Sequence, residues 1–253
     1  MGKPLVASDF KLLKFRFLPP ADKGLNLLIL LHGLGDNEQN FFQLGKKLNF
    51  PQTAVVALQA PIKLPFFEEE AYMWWDSFDL NTGEELNPAH CEKSVQGCLT
   101  KVKSFLDYAV SQGWRSEAIF LFGFSQGATV ALEAALSFPT KLGGVVSICG
   151  LPLRKSFENE AILPHELPIL ITLGDKDPKL PLSSAFPTVQ KIRSLFLEHN
   201  RKAVQCEVLA NKGHEMSHRQ DEVQLWMKFF GRYLLLSNPE LERMSDVFEI
   251  KRN

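Results

Sequence analysis

Apolar residues fall in short blocks whose spacing changes from one block to the next. The runs "KLLKFRF" (11–17), "LNLLILLH" (25–32), "TAVVALQ" (53–59), "AIFLFGF" (118–124), "LGGVVSIC" (142–149), "LPILITL" (167–173) and "AVQCEVL" (203–209) read as strands. Between them apolar side chains recur three and four residues apart. Val95, Leu99, Val102, Leu106 and Ala109 make one helical face, Val189, Ile192 and Phe196 another, and Val223, Trp226, Phe229 and Leu234 a last one. This alternation predicts an α/β fold, a mostly parallel central sheet with helices on both faces.

Two stretches break the rhythm. Residues 60–90 are rich in proline, aromatics and acids and read as a long surface excursion, a kind of segment that is often functional. After Leu236 the segment "SNPELERMSDVFEIKRN" opens with a helix stop and stays polar. We therefore expect one domain over residues 1–236 and a polar tail over 237–253. A chain of 253 residues can bury a sizeable core.

Charge narrows the partners. A net charge of −1 gives no electrostatic reason to expect nucleic acid. Cys91, Cys98, Cys149 and Cys206 lack metal-ligand spacing and read as reduced thiols of an intracellular protein. The N-terminus has no long apolar core of a signal peptide, and Val6 stands where a myristoylation motif wants Ser or Thr. The longest apolar run, "LNLLILL" (25–31), is too short to span a bilayer. The expectation is a cytoplasmic protein with no transmembrane segment, acting as a monomer or weak homodimer.

The chemistry starts at "FLFGFSQGATV" (120–130), where Ser125 sits between Gly123 and Gly127. One reading is a small-residue turn that lets a strand pack against a helix. The other is a G-x-S-x-G elbow, which holds a serine on a sharp strand-to-helix turn at a helix N-terminus. The flanks suit the elbow: "AIFLFGF" is strand-like, and "QGATVALEAAL" is rich in helix formers. A serine needs a base and a group that orients the base. In such elbows the acid follows the serine and the histidine follows the acid. Asp175 and Asp177 in "LGDKDPKLP" follow one strand-like run, and His214 in "NKGHEM" follows the next. Taken alone, the first is an aspartate-rich turn and the second a solvated histidine. Together they occur in the required order. For the oxyanion, the backbone N–H of Gln126 and that of Leu34 in "LLHGLGD" (30–36) are the candidate donors.

A rival motif overlaps. "HEMSH" (214–218) matches H-E-x-x-H, which on a helix presents two zinc ligands and a glutamate base, with Glu240 or Glu242 spaced to serve as a third ligand. Gly213 precedes it and a strand ends a few residues earlier, which favours a loop at His214. That reading also leaves "GFSQG", "LHGLGD" and "GDKDP" without a role.

"LLHGLGDNEQNF", "GFSQGATVAL", "SICGLPLR", "GDKDPKLPL" and "KGHEM", in this order, resemble the phospholipase/carboxylesterase family of small α/β-hydrolases, which includes the acyl-protein thioesterases. The resemblance runs from about residue 12 to 234. It implies an α/β-hydrolase fold without a large cap domain, and a serine esterase or thioesterase needing no metal or cofactor. It implies Ser125 as nucleophile, Asp177 as the orienting acid, His214 as base, and Leu34 and Gln126 as N–H donors. S-acylated proteins become candidate substrates, with small esters and lysophospholipids as the alternative. A non-catalytic lipid- or peptide-binding relative would be expected to lack a triad member, and none is missing. The family's tryptophan-aromatic-aspartate run corresponds to Trp74-Trp75-Asp76. The loop "IKLPFFEEEAYM", the turn "DPKLPL", the tail and the absent N-terminal lipidation cysteine depart from the family pattern. From the apolar residues of the excursion we expect Leu64, Phe66, Phe67, Trp74 and Trp75 to bind substrate. Leu64, Phe66 and Phe67 are expected to wall a groove for an acyl chain. The bland reading is a satellite cluster beside the core.

Overall fold

The computed structural model describes residues 2–65, 67, 69–153, 163, 165–216 and 219–237. Its central sheet has the order β1-β3-β2-β6-β7-β8-β9 among the described residues. The strands are β1 (Phe15–Leu18), β2 (Asn26–Leu31), β3 (Thr53–Leu58), β6 (Ile119–Phe124), β7 (Gly144–Ile148), β8 (Ile169–Gly174) and β9 (Val204–Leu209). All neighbours pair in parallel except β1, which runs antiparallel to β3. The helices are α1 (Glu38–Leu48), α2 (Pro88–Ser111), α3 (Gln126–Ser137), α4 (Leu182–Ser194) and α5 (Gln220–Tyr233). No helix among the described residues is long and apolar enough to cross a membrane.

Burial on both faces explains the continuous apolar strands. Side chains alternate across a strand. Leu27, Ile29 and Leu31 therefore enter a core with Val95, Leu99 and Val102 of α2, Val130 and Leu132 of α3, and Val189 and Ile192 of α4. Leu28 and Leu30 point the other way, onto Phe41 of α1 and Trp226, Phe229 and Phe230 of α5. The face of α2 read from its spacing is wholly enclosed. That helix starts where Asn87 accepts a hydrogen bond from the His90 N–H and Pro88 occupies the first turn.

Some elements differ from the sequence reading. The run at 11–17 becomes a strand only from Phe15, and Phe196 lies beyond the end of α4. Helix α1 carries Phe41, Leu44 and Leu48 at helical spacing and packs them into the second core, a face the sequence reading does not include. It is fixed at its start by Asn37, whose side chain accepts from the N–H groups of Gln39 and Asn40. The excursion holds a small ribbon, β4 (Ile62–Lys63) antiparallel to β5 (Tyr72–Met73). After α5 the chain returns to the sheet: Leu235 N–H donates to Asn26 Oδ1, and Asn26 Nδ2 donates back to the Leu235 carbonyl. Of the tail at 237–253, residues 238–253 lie outside the described part.

Candidate active site

Ser125 stands between β6 and α3 with φ 51° and ψ −118°. A serine rarely adopts a positive φ, and holding one there costs about 1–3 kcal/mol that the surroundings must offset. They do so by crowding. A Cβ at Gly123 would lie 2.4 Å from the Gly127 carbonyl oxygen, and one at Gly127 would lie 2.2 Å from the Leu31 carbonyl oxygen. The two glycines let strand and helix close on the turn. Ser125 N–H then donates to the Ile148 carbonyl at 2.8 Å, which pins the elbow to β7.

The loops after β8 and β9 bring their side chains to the elbow. Ser125 Oγ lies 2.8 Å from His214 Nε2, and His214 Nδ1 lies 2.8 Å from Asp177 Oδ2. The other carboxylate oxygen of Asp177 accepts from the N–H groups of Lys179 and Leu180, at 2.8 and 2.9 Å. Burial pushes the Asp177 carboxyl up. The hydrogen bonds from His214, Leu180 and Lys179 and the charge of His214 outweigh it, so the group titrates below the usual aspartate value. Asp177 is therefore an anion wherever the histidine can act. Asp175, in the same turn, is exposed.

On the opposite side, Gln126 begins α3, where the first N–H groups have no partner within the helix. The Leu34 side chain lies at the cleft rim. The turn that carries Leu34 is braced by Gly35 N–H donating to the Tyr72 carbonyl and by the indole N–H of Trp74 donating to the His32 carbonyl. His32 is enclosed, and its Nε2 accepts from the Ala60 N–H at 3.0 Å. Its proton therefore sits on Nδ1, which donates to the Gly33 carbonyl at 2.7 Å. Burial lowers the pKa of this imidazole, against the opposing Gly33 hydrogen bond and the charges of Asp36 and Glu38. The Gln126 side chain has a task the motif did not reveal. Its Oε1 accepts from the Trp74 N–H and its Nε2 donates to Ser77 Oγ, both at 2.9 Å, tying the excursion to the elbow.

A cleft of about 440 Å³ opens over Ser125. Leu34, Trp75, Phe124, Leu151 and Leu180 supply its apolar walls. Of the five residues expected to bind substrate, Trp75 lines it. Trp74 is wholly buried and acts as a brace. Leu64 is packed with Ala71, Met73, Ile62 and Phe78 in a separate small cluster, which corrects the groove-wall expectation for it. The ribbon turns this side chain inward, onto its own partner strand. Phe67 is 60% exposed and does not line the cleft. Phe66 lies outside the described residues. Leu151 belongs to "LPLR", part of a block on which the family resemblance rests, and Leu180 to "DPKLPL", a turn that departs from the family pattern; neither is among the residues expected to bind substrate.

Cys149 also borders the cleft. One donor atom each from Cys149, Asp177 and His214 lie within 4.8 Å of one another, close enough to share a metal ion. Burial pushes the Cys149 thiol up to about 12, so it stays protonated beside the pair. Both ring nitrogens of His214 are already engaged, with Ser125 and Asp177. In "HEMSH", His214 to Met216 precede α5, so the first histidine is not on a helix. His218, Glu240 and Glu242 lie outside the described residues.

The model of a phospholipase/carboxylesterase family matches residues 14–229. An uncharacterized hydrolase of Mycosarcoma maydis is 35% identical over 242 residues, 91% of this chain and 87% of its own. Acyl-protein thioesterase 1 of Schizosaccharomyces pombe is 30% identical over 163 residues, 62% of this chain and 72% of its own. Among solved structures, esterase PE8 superimposes with a TM-score of 0.72 at 25% identity, covering 88% of this chain and 99% of its own.

Proposed function

Because the chain belongs to the phospholipase/carboxylesterase family of α/β-hydrolases, we propose that it is a serine hydrolase that cleaves carboxylic esters or thioesters through an acyl-enzyme. The observation that carries this is the unbroken line of hydrogen bonds from Ser125 Oγ through both nitrogens of His214 to Asp177. Ser125 Oγ attacks the carbonyl carbon while His214 Nε2 takes its proton. Asp177 keeps the remaining ring proton on Nδ1 and stabilises the imidazolium. The N–H groups of Leu34 and Gln126 donate to the oxyanion as the carbonyl becomes tetrahedral. Collapse expels the alcohol or thiol, protonated by His214, and leaves Ser125 acylated. Water then enters, His214 takes its proton, and the acid is released.

The acyl group of the substrate is apolar in this reading. The apolar part of the cleft lining is leucine, phenylalanine and tryptophan, beside Ser77, Gln126, Thr129 and Lys179, and its volume suits a chain of intermediate length. The likeness to an acyl-protein thioesterase favours thioesters, with S-acylated proteins as candidate substrates. The likeness to an esterase favours small esters as the second reading. A series of acyl thioesters from acetyl to decanoyl separates them. Each added methylene that enters the cleft contributes about 0.8 kcal/mol, roughly fourfold in affinity. We expect kcat/KM to climb to octanoyl or beyond; a maximum at acetyl would assign the protein to small esters instead.

A further inference from the structure

Lys212, two residues before His214, is among the largest side chains in the molecule with no exposed surface. Its Nζ lies 2.8 Å from Oε2 of Glu222, which is equally enclosed. Burying two charges costs more than their attraction returns unless the remaining donors and acceptors are also filled. Here Thr172 Oγ1 donates to Glu222 Oε1 at 2.7 Å, and Lys212 Nζ also donates to the Glu215 carbonyl at 2.9 Å. An apolar plug of the same volume would fill this space at less electrostatic cost, so packing alone does not explain the pair.

What the pair does is close a ring around His214. The ammonium of Lys212 donates to the carbonyl of Glu215, which closes a hydrogen-bonded loop containing His214, and the Glu215 carboxylate accepts from the Gly213 N–H at 3.2 Å. Backbone contacts join this ring to the acid's loop. Lys176 N–H, one residue before Asp177, donates to the Lys212 carbonyl at 2.9 Å. A Cβ at Gly174 would lie 2.2 Å from that same oxygen, so the glycine allows the two loops to touch. Glu222 belongs to the first turn of α5 and Thr172 to β8. The staple thus links the base's loop, the acid's strand and the last helix.

We propose that Lys212, held by Glu222 and Thr172, is a positioning residue for the reaction. It fixes the turn 212–216 so that the imidazole of His214 stays within hydrogen-bond reach of Ser125 and Asp177 together. The inference rests on the reading of His214 as the base. Misplacing a reacting group by about 1 Å costs on the order of 10²-fold in rate, and the staple holds a loop on which two such distances depend.

The test compares the parent with Lys212→Met and with a triple variant, Lys212→Met, Glu222→Leu and Thr172→Val. Replacing a buried ion pair wholesale with apolar side chains tends to preserve a fold, so the triple variant separates positioning from folding. We expect it to melt cooperatively with kcat for a p-nitrophenyl ester lowered roughly 10- to 100-fold and KM within about twofold of the parent. The downfield proton resonance of the His214 Nδ1–H should broaden or vanish. A folded triple variant with kcat within about twofold of the parent and a sharp resonance overturns the proposal, as does a loss that appears only in KM. Should the triple variant not fold, Thr172→Val alone unties Glu222 from β8. A kcat lowered severalfold at constant KM supports the role, and an unchanged kcat overturns it. His214→Ala is the control: if it keeps the parent's activity, the assignment of the base fails and takes this inference with it. If it is inactive while the other variants keep full kcat, the positioning role alone fails.

Discussion

Two regions meet at the cleft and are held in different ways. The floor, made by the ends of β6 and β8 and the loop after β9, fixes each reacting side chain from more than one direction. Ser125 is pinned by its strained backbone and by Ile148, Asp177 by three hydrogen bonds, and His214 through both nitrogens. The wall, made by the excursion between Ile62 and Leu86, has a small core of its own and reaches the cleft through Trp75 and Ser77 among the described residues. In the proposed reaction the displacement-sensitive chemistry sits on the floor, and the excursion adds Trp75 to a cleft whose other apolar walls, Leu34, Phe124, Leu151 and Leu180, lie outside it. The comparison teaches that floor variants should change the rate for every substrate, and wall variants the ranking among substrates.

The largest effect expected is on the floor. Asp177→Asn should lower kcat by about 10⁴-fold, since an amide stabilises the wrong tautomer of the imidazole. Asp175→Asn should stay within a few-fold of the parent, because that side chain is exposed in the same turn. Steady-state kinetics of the two variants on one ester decides between the aspartates, and equal losses would reject the choice.

Next come two wall residues that the sequence could not separate. Trp75→Ala should flatten the rise of kcat/KM with chain length by roughly tenfold at octanoyl, as about two methylenes lose their contacts, while acetyl-ester turnover changes little. Leu64→Ala should leave the chain-length profile alone and lower stability by about 2–4 kcal/mol in denaturant titration, as a truncation in a small packed cluster does. If the effects are exchanged, the division between lining and packing is wrong.

These contrasts show what was legible in the sequence. The five inner strands of the main sheet announced themselves as apolar runs because both of their faces are covered, the edge strands β1 and β9 are partly exposed and carry more polar residues, and α2 and α5 show a period because one face of each is enclosed. Ser125, the pair Asp175 and Asp177, and His214 stood out by their order after strand-like runs, and the family resemblance singled out Asp177 from the pair. The wall has no such regularity. Within "IKLPFFEEEAYMWW" neighbouring residues go to different places: Leu64 into a satellite cluster, Phe67 to solvent, Trp74 into the main core, and Trp75 into the same core with an edge on the cleft. A two-residue ribbon is too short to print a period. The side-chain work of Gln126 and Lys212 was likewise invisible, since it depends on partners 52 and 10 residues away.

The smallest effect expected concerns the brace beneath the turn that carries Leu34. The imidazole of His32 has its pKa lowered in the folded protein by burial. The unfolded chain therefore binds the proton more readily, and stability should fall as pH drops through about 6.5, levelling only below the folded value. His32→Asn should shrink this acid-side slope in thermal melts taken between pH 7 and roughly 5. Asp177 works in a lower window: its carboxyl is depressed, so its contribution is present above about pH 4 and lost as pH falls through the folded value.

The central claim is that Ser125 is an activated nucleophile, and it is tested most directly by trapping it. The protein is incubated with a fluorophosphonate and analysed by intact mass and peptide mapping. We expect one phosphonyl group per chain, on the peptide containing Ser125, with no adduct on the Ser125→Ala protein and strongly slowed labelling of the His214→Ala protein. Absence of the adduct from the parent, or its appearance on another residue while Ser125 stays free, would contradict the claim.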